Sequence, residues 1–190
     1  MAEILKGRYT ADVSRLGDEV VVFIIGMRIN KPLKLGQWLP VFKAMGPMLK
    51  HLAERPEKGL LAYRASLLPL FFVQYWRSFE DLERFARNAD DPHLEPWRRF
   101  NRKIGNSGDV GIWHETYLVS AGRYECVYGN MPRMGLARAG EHVPATGRRE
   151  TARRRLGRDP RYERILGNAI EKQGMSFAKA AWVRADPTPG

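Results

Sequence analysis

Two histidines are the residues best placed to do chemistry in this chain. His114 is embedded in Gly111-Ile-Trp-His-Glu-Thr-Tyr-Leu-Val119, an apolar, β-forming run. An imidazole inside such a strand is costly to bury without a partner, so it demands an explanation. His93 comes earlier, at helical spacing before Trp97, Phe100 and Ile104. A neutral imidazole titrates close to physiological pH and works as a proton acceptor or a metal ligand. Two such groups converging on one apolar interior would make a site.

Strand alternation decides which neighbours can act together. Ile112, His114, Thr116 and Leu118 share one face, while Trp113, Glu115, Tyr117 and Val119 share the other. His114 and Glu115 therefore point apart and do not form a metalloprotease fragment, which needs a helix. The helical stripe of Trp97 and Phe100 carries His93 toward a sheet. With His114 on the helix side of that sheet, the two rings line one cavity, to which Arg64 and Asn101 add polar groups. Trp97, Phe100, Tyr117 and Trp76 then shape its wall, an apolar pocket with a few convergent polar groups. Structural readings stand beside this one. A strand histidine can be satisfied by backbone, His93 can start a helix near Asp90 or Asp91, and Trp76, Trp97 and Trp113 can be core. Glu125 reads as an ordinary strand carboxylate, paired with Arg123 or a later arginine.

The elements that must position these residues follow from patterning. Residues 1–18 are polar and mixed and read as a surface arm. Val20 to Arg28 is continuously apolar, the mark of a central strand covered on both faces. After a loop from Asn30 to Gly36, Trp38, Val41, Phe42, Met45, Met48, Leu49 and Leu52 form one helical stripe, with Pro40 in the first turn and Pro47 expected to kink it. Leu60 to Leu67 and Phe71 to Trp76 read as a hairpin. Ser78-Phe-Glu-Asp81 is a helix-capping signature before Leu82 and Phe85. A second helix runs from His93 to Ile104, Gly105 to Gly108 end it, and strands over 110–119 and 124–128 follow. The order β-α-β-β-α-β defines an α+β, ferredoxin-like plan: one antiparallel sheet with helices on one face. The domain is expected over 19–130. Residues 131–190 are expected as a basic extended segment with a short helix near 160–172. A sheet bare on its second face calls for association, and a homodimer is expected.

Composition narrows the class. With 190 residues and 44% hydrophobic content the chain can bury a full core. The single cysteine, Cys126, excludes an internal disulfide framework and fits a cytoplasmic location. No apolar run reaches the roughly 18 residues of a membrane span. The net charge of +11 is weighted toward Arg148, Arg149, Arg153, Arg154, Arg155, Arg158, Arg161 and Arg164. That run reads as a solvated or subunit-contacting segment ahead of a nucleic-acid site, since no strand carries the basic-glycine-aromatic series that stacks bases. There is no phosphate-binding glycine loop, no nucleophile elbow and no cysteine pair for zinc, so no metal site is expected.

Trp76-Arg-Ser-Phe-Glu-Asp-Leu82 with Phe85, His93 and Trp97 resembles the strand-to-helix signature of antibiotic-biosynthesis-type monooxygenases, dimeric α+β barrel proteins. Val22-Phe23 with Gly26-Met-Arg-Ile-Asn30, Gly111 to Tyr117, and Tyr128-Gly-Asn-Met-Pro132 with Gly135-Leu136 resemble the smaller fumagillin-pathway monooxygenase-like family, over about residues 8–157. The resemblance implies a ferredoxin-like dimer that oxygenates a small hydrophobic substrate, in secondary metabolism. It implies either no cofactor, with His114 as general base and Arg64 and Asn101 stabilising the resulting charge, or haem. His93 is similar in position to the haem-ligating histidine of haem-degrading relatives, and His93 or His114 would be the axial ligand. A third reading, from a different class, is a non-catalytic dimeric binding module.

Overall fold

A computed structural model describes residues 2–120 and 122–158. In chain order the elements are β1 (Leu5–Asp12), β2 (Glu19–Ile29), α1 (Leu35–Ala53), β3 (Leu60–Leu67), β4 (Leu70–Trp76), α2 (Phe79–Arg87), α3 (Leu94–Lys103), β5 (Val110–Ser120), β6 (Tyr128–Met131), α4 (Leu136–Ala139), β7 (Glu141–Pro144) and α5 (Ala152–Arg155). They fall into two compact units, one of residues 21–118 and one of the residues on either side.

The 21–118 unit is a four-stranded sheet in the order β3-β4-β2-β5. Two crossing helical connections and one hairpin give the ferredoxin-like plan expected from the sequence. Register fixes the faces. Phe23 pairs with Gln74, Ile25 with Phe72 and Val21 with Trp76, so these side chains share the helix-facing side. Val21, Met48, Leu52, Trp76, Leu82 and Phe85 form the core there, with Val21 and Trp76 wholly buried. The Trp76 indole N–H donates to Gln74 Oε1 at 2.9 Å, and Gln74 Nε2 lies 3.9 Å from the Met45 sulfur.

α1 starts at Leu35, so Pro40 lies beyond the first turn and Pro47 also falls within the helix. Each proline removes one N–H from the ladder. Burial of Met48, Leu49 and Leu52 against the sheet holds the helix together. Its start is fixed by buried Asp109. Lys34 Nζ lies 2.9 Å from both carboxylate oxygens, and the Asn30 and Lys31 N–H groups donate to the Asp109 carbonyl at 3.0 and 3.2 Å. α2 is capped as expected: the Asp81 N–H donates to Ser78 Oγ at 3.2 Å.

The second unit contains a three-stranded sheet in the order β6-β1-β7. Residues 1–18 are therefore not simply an arm, because β1 is the central strand, paired antiparallel on both edges. Buried Thr10 and Ala11 and the pairings Tyr9 with Tyr128 and Ala11 with His142 explain a strand whose sequence is mostly polar. The strand expected over 124–128 begins only at Tyr128, because residues before it serve β1 through side chains. Tyr124 Oη accepts from the Val13 N–H at 3.1 Å and the Cys126 carbonyl accepts from Thr10 Oγ1 at 2.7 Å. Beyond Asn130 the described residues hold β7, α4 and α5, more structure than an extended segment. Arginines hold this part together: Arg149 pairs with Asp12 at 2.6 Å, and Arg155 Nε donates to Glu125 Oε1 at 2.9 Å. The helix expected near 160–172 lies outside the described residues.

Candidate functional site

A cavity of about 670 Å³ lies between the helices and the sheet of the 21–118 unit. Its floor is Phe23, Ile25 and Met27 of β2, Phe72 of β4, and Ile112, His114 and Thr116 of β5. Every second residue contributes, as the pleat requires. α1 supplies Gln37, Val41 and Met45, and α3 supplies Trp97 and Phe100, whose rings stack at 5.8 Å and 15°. Lys43, Arg99 and Lys103 border it, with Glu83 and Glu95. The size and apolar lining are those of a small-molecule site.

His93 and His114 both border this cavity, one from the start of a helix and one from a strand. The β5 alternation and the α3 stripe bring them there. His93 is half-buried at the N-cap of α3, and its Nδ1 lies 3.1 Å from the Ala86 carbonyl. A carbonyl only accepts, so Nδ1 carries the proton and Nε2 of the neutral ring keeps the lone pair. Burial pushes the His93 pKa below its ordinary value, only partly opposed by the bond to Ala86. His114 is more open, with its ring 5.6 Å from Phe23.

Placement of His93 depends on a network outside the cavity. Buried Asp91, two residues before it, takes Lys58 Nζ at 2.6 Å, His51 Nε2 at 2.8 Å and Asn88 Nδ2 at 3.1 Å. Arg55 donates to His51 Nδ1 at 3.2 Å, which leaves Nε2–H to point at the carboxylate. Burial alone would raise the Asp91 pKa, but the bonds from Lys58, His51 and Asn88 hold it below the usual carboxylate value. The α2–α3 connection is thereby clipped to the end of α1.

Four expected site residues lie elsewhere. Arg64 pairs with Val73, and Val73 with Ile24, so Arg64 is on the sheet face opposite the cavity. Tyr117 obeys the same alternation, projects opposite His114 and donates to Glu115 at 2.6 Å. Asn101 is exposed and absent from the cavity wall, because the residue after Phe100 turns about 100° away around the helix. Trp76 is fully buried core. The charged border residues Lys43, Arg99, Lys103, Glu83 and Glu95 were not anticipated, nor was Gln37, whose Oε1 is shielded from solvent and has no hydrogen bond among the described residues. It precedes Val41 and Met45 on their stripe by one and two turns, and a polar residue on an apolar stripe is the signal that could have found it. No cluster of three or more metal-ligating side chains occurs among the described residues. No helix there is long and apolar enough to cross a membrane.

Residues 20–136 match the model of the Monooxygenase af470-like family, and the chain belongs to that family. A curated relative, Monooxygenase af470 of Aspergillus fumigatus, is 30% identical over 157 residues, covering 68% of this chain and 53% of the relative. The chain thus spans about half the length of the curated relative it matches. Among solved structures, an aldoxime dehydratase superposes with a TM-score of 0.53 at 20% identity, over 75% of this chain and 43% of that one. That likeness concerns the fold alone.

Proposed function

We propose that this chain is a small-molecule oxygenase whose substrate occupies the cavity between helices and sheet. The observation that carries the reading is that two imidazoles from separate elements, His93 and His114, border one apolar hollow. Family membership supports the reaction class. In the version without a cofactor, His114 takes a proton from an activated carbon or a phenol, and its open position lets it pass that proton to water. The electron-rich substrate reduces O₂, keeping one oxygen atom while the other leaves as water. His93, neutral and oriented by Ala86, accepts a hydrogen bond from the substrate. Lys43, Arg99 and Lys103 take over the anion-stabilising role that Arg64 and Asn101 cannot fill from where they lie. The bare second sheet face is proposed to carry the homodimer contact, which sedimentation of the purified protein tests directly.

One observation favours a second reading. An imidazole with Nδ1 held by a backbone carbonyl is the usual arrangement of a metal-ligating histidine. His93 would then hold haem, with the neighbouring cations meeting its carboxylates, and haem would supply the activation of O₂. Absorption spectra separate the two. Protein from haem-supplied cells shows a Soret band, lost in His93→Ala and kept in His114→Ala, only under the second reading. Under the first, mass spectrometry finds a co-purifying hydrophobic compound. Oxygen consumption with a panel of phenols falls about 10²- to 10⁴-fold in His114→Ala. Protein that binds no hydrophobic ligand, takes up no haem and is indifferent to both substitutions overturns the proposal.

A further inference from the structure

The cavity border carries more positive charge than its own carboxylates can meet. Lys43 of α1 and Arg99 and Lys103 of α3 line it, on two helices that pack together, with Glu83 and Glu95 as acidic neighbours. Both acids are taken by other arginines: Glu83 by Arg87 and Glu95 by Arg102, each at 2.9 Å. Lys43, Arg99 and Lys103 have no hydrogen bond or ion pair among the described residues. Glu95 stands one turn before Arg99, the order that best stabilises a helical ion pair, yet it turns to Arg102. Arg99 and Lys103 are then like charges one turn apart, which costs the helix a little. Lys103 lies in the last turn of α3, where a cation meets the helix C-terminus, but Arg99 and Lys43 have no such duty. Beside these charges the cavity wall leaves Phe42, Phe79 and Trp97 at 42%, 40% and 41% exposure. Aromatic surface next to unpaired cations, at the border of an apolar hollow, fits a ligand of two parts.

We infer that the substrate is an amphipathic acid, an apolar body that fills the cavity and a carboxylate held at its border by Lys43, Arg99 and Lys103. This deepens the proposed function, since it rests on the cavity being the binding site, and it adds a charge that the ligand brings with it. All three cations are exposed, so the acid keeps part of its water and the complex escapes the cost of burying a charge. A neutral analogue of the same shape gains the apolar contact alone, and a cationic one is repelled. Haem carries carboxylates too, so the probes must separate a free acid from the prosthetic group.

The experiment measures binding of naphthylacetate, its methyl ester, naphthylethylamine and hemin to the full chain by calorimetry. The acid binds about ten-fold more tightly than the ester, the amine binds most weakly, and high salt shrinks the difference. Combining Lys43→Gln, Arg99→Gln and Lys103→Gln removes the acid's advantage and leaves the ester unchanged, while each substitution alone costs the acid about two- to three-fold. A control combining Lys31→Gln, Lys50→Gln and Arg98→Gln removes the same charge from exposed positions of the same unit that do not line the cavity, and it keeps the advantage. Circular dichroism checks that both variants fold. If the control loses the advantage as well, the overall positive charge attracts the acid, and the inference is overturned. Equal binding of acid and ester by the native protein overturns it while leaving the cavity a binding site. Hemin binding that the first triple weakens, with no binding of naphthylacetate, assigns the cations to haem and overturns the substrate class. Failure of all four to bind overturns the cavity reading as well.

Discussion

Asp91→Ala should cost more stability than any comparable surface substitution, and the loss should depend on pH in a defined way. The carboxylate is 5% exposed and receives three hydrogen bonds, two of them to one oxygen. Removing one member of a buried charged group costs about 3–5 kcal/mol because its partner is left desolvated. Here the Lys58 and His51 side chains keep 23% and 20% exposure, so part of their hydration returns. The lower end, about 3 kcal/mol, is the expected loss, with about 1–2 kcal/mol for Asp91→Asn, which keeps the volume and an acceptor. The folded carboxyl titrates below its unfolded value, so the native state binds fewer protons between those two values. The contribution is thus complete above about pH 4 and fades as pH falls through the folded pKa. Urea unfolding followed by tryptophan fluorescence, at neutral pH and near pH 3, gives both numbers. A loss under about 1 kcal/mol, or an equal loss at the two pH values, would refute the reasoning. Because Asp91 sits two residues before His93, the variant should also bind cavity ligands more weakly.

Two further outcomes are expected. A Cβ on Gly26 would lie 2.6 Å from Trp113 Nε1, so Gly26→Ala should cost about 1–3 kcal/mol, and Trp113→Ala should remove most of that penalty in a double-mutant cycle. His93 and His142 both titrate below the ordinary histidine value, chiefly through burial, with the Arg133 charge adding to the effect at His142. The unfolded chain then holds more protons than the native state below about pH 6.5, so stability should fall as pH drops from 7 and level off once both folded pKa values are passed. Replacing both by glutamine should flatten that slope; an unchanged slope by urea titration would count against buried, neutral rings.

What could be read from the sequence divides along physical lines. β2 is legible because its run from Val20 to Met27 is apolar or glycine at every position, and β5 because alternation sorts its residues without reference to anything else. The placement of His93 and His114 follows from two local periodicities, the helical stripe of α3 and the alternation of β5. Arg64 was not placeable in this way. Its face depends on the register of β3 against β4, which shifts between Leu60 and Ala62, and no local pattern reports a shift of that kind. Tyr117 was placed correctly by alternation, and only its assignment to the cavity overrode that rule. β1 escaped for a different reason. Leu-Lys-Gly-Arg-Tyr-Thr-Ala-Asp has no strong apolar period, and the partners that make it a strand lie more than a hundred residues on.

The distribution of polar satisfaction within the 21–118 unit is itself an argument about function. Its buried carboxylates are fully engaged. Asp109 holds the start of α1, Asp91 its end, and Asp81 takes Arg77 and Arg84 at 2.7 and 2.8 Å. A fold that meets the needs of three buried charges has the means to meet those of one amide. Yet Gln37 Oε1 has no partner among the described residues, and His93 Nε2, on a residue that borders the cavity, has no hydrogen bond there either. Selection for stability alone would replace Gln37 by an apolar residue, since an orphaned acceptor costs about 1–3 kcal/mol. Leaving His93 Nε2 unengaged at the hollow while fully engaging those three buried carboxylates is the pattern of a site whose remaining partners arrive with the ligand.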